Sequence, residues 1–217
     1  MSEQAGAGGG RARLSRDRVL GGAMAVADAG GIASLTIRSI AQELGVKPMS
    51  VYHHVANKDA IIDGIVDLVF SEIDLPVPGR PWKPEIRRRS VSAREALARH
   101  PWAIQLLQSR TNPGQATLRH HNAVIGTMRE AGFSVVKTAH ALALVDSYVF
   151  GFALSEAALP IHGPDTVPEV AEQMMEGFDP AEYPYLVDFA VKHIVKPGYD
   201  FGAEFEYGLT RVLDALS

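Results

Sequence analysis

The chain has 217 residues, 47% of them hydrophobic, enough to bury a sizeable core in one large domain or two small ones. It contains no cysteine, which excludes disulfides, thiolate catalysis and cysteine-bound zinc and fits a reducing compartment; eight histidines are the remaining soft ligands. The net charge of −4 is uneven: residues 1–58 hold seven Lys/Arg against four Asp/Glu, residues 59–217 fourteen against twenty-one, so the front quarter is the part suited to a polyanion.

Residues 1–14 are rich in Gly and Ala and carry Arg11 and Arg13, a composition expected to stay a flexible arm. The opening "MSEQAGAGGGRARLS" lacks the apolar stretch of a secretion signal, and no uninterrupted apolar run approaches roughly 18 residues. A cytoplasmic protein with no membrane partner is expected. Ser15 reads as an N-cap, Leu14 and Val19 are placed as a hydrophobic staple, and Gly30-Gly31 is a stop, giving a first helix over 16–29. Thr36 caps a second helix, stapled by Leu35 and Ile40 and ended by Gly45. Pro48 suits a first turn, so a short third helix covers Met49 to His54. Two short helices joined by a tight glycine turn make a helix-turn-helix.

Asn57 caps a fourth helix in which Ile61, Ile62, Ile65, Val69 and Ile73 recur at helical spacing up to Leu75. After the proline-rich break "PVPGRPWKP", helical periodicity returns over 85–99, 101–109, 114–131, 134–158, 168–177, 181–195 and 201–216. "LPIHGPDTVPEV" reads as a mobile connection, and neither strands nor repeats are evident. The expected fold is all-α: an arm over 1–14, a three-helix helix-turn-helix head over 15–60 and a larger helical domain over 61–217.

In a helix-turn-helix the second helix enters the major groove, while the first helix and flanking caps hold phosphates. Ile40, Leu44, Val46 and Val51 are placed to face inward, leaving Lys47, Pro48, Met49, Ser50, Tyr52, His53 and His54 outward. Serine and histidine can bond bases or phosphate, Met49 and Pro48 can touch a thymine methyl, Tyr52 suits a phosphate and Lys58 adds charge. Thr36 and Arg38 are natural backbone clamps. An ordinary hairpin with a solvated polar face is the bland alternative; the local positive charge and the Tyr-His-His cluster weigh against it.

The stretch "LTIRSIAQELGVKPMSVYHHVANKDAIIDGIVD", residues 35–67, resembles the DNA-binding signature of TetR-family transcriptional repressors, matching at Ala41, Gly45-Val46, Tyr52, His54-Val55 and Asn57-Lys58. "FEYGLTRVLDAL", residues 205–216, is similar to the last helix of the tetracycline-repressor branch. The resemblance implies a homodimer whose heads grip a near-palindromic double-stranded operator, and a body over 61–217 that dimerises and binds a small-molecule inducer. It implies Thr36, Arg38, Lys47, Pro48, Met49, Ser50, Tyr52, His53, His54 and Lys58 as the DNA-contacting set. The branch's metal-liganding histidine and glutamate fall on Leu106 and Ser155, so neither magnesium-tetracycline nor another metal or cofactor is expected.

Residues 137–159 are apolar nearly all round and should be buried on more than one side. Asp146 within them either orients a ligand's amine or hydroxyl, or pairs with an arginine or lies at a wet edge. The family geometry puts this helix and 201–216 into a four-helix dimer bundle with Tyr148, Phe152, Phe205 and Leu209 as core. Candidates to line a ligand cavity are Trp102, Leu106, Arg110, Asn122, Ile125, Met128, Asp146, Ser147, Phe150 and Phe178. "RHHN" at 119–122 reads as a solvated helix face, its adjacent histidines pointing different ways.

The sequence has no Gly-rich phosphate loop, His-Glu-x-x-His helix or nucleophile elbow, which argues against an enzyme. A helical carrier or enzyme, and a constitutive DNA-binding protein with a solid rear domain, are the alternatives to a ligand-released repressor. Arg11 and Arg13 are placed to reach a minor groove. Deleting residues 1–13 is expected to lower DNA affinity and to flatten the slope of log affinity against log salt by about 0.9 per phosphate contact removed, which binding titrations across salt concentration measure.

Overall fold

Helices begin where a side-chain oxygen can take an amide that the helix itself leaves unpaired. In the computed structural model, which describes residues 13–107, 109–159, 170, 172–173, 175–176, 178–196 and 198–216, Ser15 accepts from the Arg18 amide at 3.2 Å and opens α1, Arg16–Gly30. Thr36 and Ser39 cap each other reciprocally, Oγ1 accepting from the Ser39 amide at 3.0 Å and Ser39 Oγ from the Thr36 amide at 2.9 Å, to start α2, Ile37–Leu44. Gly45, at φ 64° and ψ 36°, takes the left-handed turn and leads to α3, Pro48–Tyr52. Asn57 Oδ1 accepts from the Ala60 amide at 2.8 Å and starts α4, Lys58–Glu72.

The body holds α5, Trp82–Arg99; α6, Gln115–Glu130; α7, Val135–Ala158; α8, Pro184–Phe189; and α9, Phe201–Ala215. No strand occurs among the described residues. The expected helix over 101–109 is instead a 3₁₀ turn at Pro101–Ala103 followed by further turns. Pro101 cannot supply the amide that would continue α5, and the chain tightens to bonds such as Leu106 N–H to Ala103 O at 2.8 Å. The expected helix over 181–195 divides into α8 and a π-helical turn at Ala190–Ile194. Residues 1–12 of the expected arm, the connection at 160–169 and part of the expected helix at 168–177 lie outside the described residues.

Two hydrophobic cores meet on one helix. Val19, Leu20, Leu35, Ile40, Val51, Val55, Ile61 and Ile65 form the head core. Val66, Val69, Phe70 and Ile73 belong to the body core, with Ile86, Leu97, Val124, Met128, Val145, Phe205 and Leu209. The expected division at residue 60 therefore falls inside α4, whose fully buried residues change core between Ile65 and Val66, while Ile62 packs against both cores and Leu68 against the head core. Polar ties run along the same seam. Asp28 of α1 accepts the Trp102 indole N–H at 2.6 Å and faces His100 Nδ1 at 2.7 Å, while His100 Nε2 lies 3.1 Å from Glu72 at the end of α4. Nearer the start of α4, Asp63 accepts from Arg110 Nε at 2.5 Å.

Asp67 of α4 caps α6 from outside. Its carboxylate accepts from the Ala116 amide at 3.2 Å, the Thr117 amide at 2.8 Å and the Thr117 hydroxyl at 2.9 Å. Gly114, the residue in the cap position, has no side chain to do this, and a Cβ there would sit 2.2 Å from the Asp67 carboxylate. Asp67→Ala is expected to cost about 2 kcal/mol, against about 1 kcal/mol for Asn57→Ala, and to expose the Ala116 and Thr117 amides to faster exchange; urea unfolding and hydrogen exchange read both effects.

Candidate nucleic-acid interface and ligand site

The face of α3 follows from its shortness: with Val51 fully buried beneath it, the rest of the turn looks out. Pro48, Met49, Tyr52 and His53 are exposed, Met49 by 68% and Tyr52 by 48%, while Ser50 and His54 are half-buried. Lys47 precedes the helix, Thr36 and Arg38 open α2, and Lys58 opens α4; all four are exposed. The Thr36 hydroxyl is committed to its own helix cap, accepting from the Ser39 amide and lying 3.0 Å from Ser39 Oγ. Ile40 is buried with Val51, and Leu44 and Val46 pack partly buried around them, so the inward set is the expected one.

Ion pairs hold several of the body arginines. In the body, Arg87 is tied to Glu206 at 2.7 Å, Arg89 to Asp146 at 2.6 Å, Arg94 to Glu156 at 2.5 Å, Arg99 to Glu72 at 2.7 Å and Arg110 to Asp63 at 2.5 Å. Among the described residues Arg38, Lys47 and Lys58 form no ion pair. Cations left unpaired on one face beside hydroxyls, imidazoles and a phenol are the donor set that a phosphate backbone takes.

The ten residues expected around a cavity are not brought together. Trp102 is tied to Asp28, Leu106 and Phe150 pack partly buried against the body core, and Met128 is fully buried within it. Asn122, Ile125 and Ser147 are exposed, and Phe178 rests its ring on Tyr183 with centroids 6.1 Å apart. Arg110 borders a cleft of about 20 Å³ at the α4–α6 seam with Asp63, Phe70, Gly114 and Thr117. Asp146 is committed to Arg89, itself 1% exposed, which is the ion-pair alternative rather than a free ligand contact.

The solvated face expected at 119–122 holds for Arg119 and Asn122 but not for His120, which is fully buried. Ala116, Thr117, His120, Val124, Thr127 and Met128 are the inward stripe of α6, a helical spacing that carries His120 inside with them. Arg89 Nε donates to His120 Nε2 at 2.9 Å, so α5, α6 and α7 meet at an Asp146–Arg89–His120 chain. Burial first, then the Arg89 charge, lowers the imidazole from 6.5 to about 3. Among the described residues no group of three His, Cys, Asp or Glu is arranged to hold a metal ion.

One described helix, α7, is long and apolar enough by length and composition to cross a membrane, where the run-by-run reading expected no such segment. The interruptions at Lys137, His140 and Asp146 that broke the apolar run do not stop it. Its Ala141, Val145, Val149 and Ala153 are packed in the body core and Asp146 is ion-paired.

A helix-turn-helix with a bare cationic face, joined through one shared helix to a separately cored all-helical body, defines a transcriptional regulator. Residues 19–65 match the family described as "Bacterial regulatory proteins, tetR family", and residues 75–217 match "Tetracyclin repressor-like, C-terminal domain". The chain belongs to the TetR family, a family of transcriptional regulators rather than enzymes. It is 32% identical over 145 residues to an HTH-type transcriptional regulator of Saccharopolyspora erythraea, spanning 66% of this chain and 61% of that one. It is 31% identical to the HTH-type transcriptional repressor DrrR1 of Streptomyces coeruleorubidus, covering 94% of this chain and 77% of that one. The solved structure of the Streptomyces coelicolor TetR family protein ActR in complex with actinorhodin superposes with a TM-score of 0.75 at 25% identity, covering 94% of this chain and 96% of that one.

The neutral His120 sets an acid limit. The unfolded chain takes a proton near 6.5 and the folded one near 3, so the stability held above pH 6.5 drains as the pH falls between those values. From pH 7 to pH 5 this group alone is expected to remove about 2 kcal/mol, and His120→Gln to abolish that share of the loss, read from urea midpoints of both proteins at the two pH values.

Proposed function

We propose that this regulator is a repressor that binds a near-palindromic double-stranded operator as a homodimer and is released by a small-molecule inducer. The unpaired cations Arg38, Lys47 and Lys58 around an outward α3 are the observation that carries the DNA reading. In it, the head over residues 15–60 puts Pro48, Met49, Ser50, His53 and His54 against base edges, while Thr36, Arg38, Lys47, Tyr52 and Lys58 hold phosphate. Dimerisation through α7 and α9 is supported by the apolar side chains those helices leave exposed: Val135, Val136, Leu144, Leu154 and Tyr207. The two heads then reach successive major grooves, roughly 34 Å apart. The working site is DNA in the bacterial cytoplasm, and α7 is read as a dimer helix rather than a membrane span.

Induction acts through α4. A ligand in the body favours one arrangement of this helix, changes the distance between heads and weakens operator binding by a coupling on the order of 1 to 3 kcal/mol. ActR, solved in complex with actinorhodin, supports a ligand-responsive reading for a chain of this fold. A constitutive regulator would differ by a body that no small molecule stabilises.

Footprinting of the DNA beside the gene tests the operator claim: sequence-selective, salt-sensitive protection of two half-sites is expected, and its absence removes the claim. Tyr52→Ala and Lys58→Ala are expected to weaken binding to all sequences, Lys58→Ala lowering the salt slope by about 1. Ser50→Ala and His53→Ala are expected to cost about 1–3 kcal/mol on the preferred operator and to relax base preference, measured by comparing operator with random duplex.

A further inference from the structure

Asp28 bonds the body without passing through the shared helix. Asp63 and Asp67 reach the body from α4 itself, whereas Asp28 lies in the last turn of α1. Its Oδ1 accepts the Trp102 indole N–H at 2.6 Å and faces His100 Nδ1 at 2.7 Å. His100 is 5% exposed and its other nitrogen lies 3.1 Å from Glu72 Oε1, so the ring is held at both ends. The second Glu72 oxygen accepts from Arg99 Nε at 3.1 Å and Nη2 at 2.7 Å. A strap of polar contacts thus runs from α1 across the end of α4 to the turn at Pro101–Ala103.

The place of the strap says what it restrains. A helix that joins two cores can bend along its length, so the tilt of one core on the other is limited by whatever crosses between them off that helix. Met24, one turn before Asp28 on the same face of α1, packs against both cores, as Trp102 does from the body. Apolar contacts of this kind are non-directional, whereas a hydrogen bond to a carboxylate holds only over a narrow range of length and angle. The strap therefore fixes a tilt that Met24 and Trp102 by packing alone would leave to drift.

We propose that Asp28 is a positioning residue for operator binding: through Trp102 and His100 it fixes the tilt of the head on the body, and so the separation of half-sites that the dimer accepts. This rests on the operator reading above. Adding or removing one base pair between half-sites shifts one against the other by about 3.4 Å and turns it by about 35°. Strapped heads cannot follow that change, and freely tilting heads can. Asp28 lies outside the set of residues facing DNA, so base preference within each half-site does not depend on it.

The full-length dimer is titrated with duplexes that carry its footprinted half-sites at native spacing and with one base pair added or removed. The wild type is expected to prefer native spacing at least about tenfold, Asp28→Ala to shrink that preference to about threefold or less, and Trp102→Phe, which keeps an aromatic ring and deletes the N–H, to fall between them. Base preference within a half-site is expected to match the wild type. Spacing preference that survives both substitutions, or affinity lost equally at every spacing as a merely structural role would give, overturns the inference. The chain has no cysteine, so Glu43→Cys at an exposed position of α2 carries one spin label per head. Head-to-head distance distributions from pulsed dipolar spectroscopy of the DNA-free dimer are expected to broaden in both variants; widths equal to the wild type's overturn the inference. Either variant decides if the other fails to fold. Protection by the wild type is read separately: without protected half-sites the operator reading falls and takes this inference with it, whereas protected half-sites with no spacing preference in the wild type overturn this inference alone.

Discussion

Everything in this molecule is arranged around the double membership of α4. Its first two turns close the head core through Ile61 and Ile65, and its last two turns close the body core through Val66, Val69, Phe70 and Ile73. A helix buried in two cores cannot rotate in one without disturbing the other, because close-packed interiors shift between discrete arrangements and do not stretch. The carboxylates along it strengthen the bond in both directions: Asp63 holds Arg110, and Asp67 supplies the cap that α6 lacks. The start of α6 therefore depends on where α4 lies, a dependence written in hydrogen bonds rather than in apolar contact alone.

The distribution of ion pairs states the same division of labour in charge. Arg87, Arg89 and Arg94 of the body are each matched with a carboxylate, Arg89 fully buried, where an unmatched charge would be severely destabilising. Cations around α3 have no such partners, and on an exposed face they need none. The chain's net negative charge thus coexists with a local positive surface, because the acidic excess is spent inside the rear domain and on its own solvated faces.

The front of the chain was readable because its signals are local. Ser15, Thr36 and Asn57 each bond an amide three residues ahead, and Gly45 takes its left-handed turn between neighbours, so spacing along the sequence contains the structure. The rear was readable as helices but not as a site. Asp67 meets Thr117 across fifty positions and His100 meets Asp28 across seventy-two, and periodicity gives a helix its inner face without saying which helix that face will meet. His120 had a usable signal, since it sits on the stripe that Thr117, Val124 and Met128 define; Pro101 opens a helical turn as its position suggests, but a 3₁₀ one of three residues and not an α-helix over 101–109.

The seam between Ile65 and Val66 has a consequence for grafting. Exchanging heads among relatives at that junction would keep the fully buried residues of each core together, but it would part Leu68 and Trp102 from the head core they pack against, and Asp28 and Asp63 would leave with the transplant while Trp102, His100 and Arg110 stayed behind. A hybrid built this way presents borrowed side chains on its helix-turn-helix but keeps the polar ties between head and body only where the donor carries acids at those same two positions.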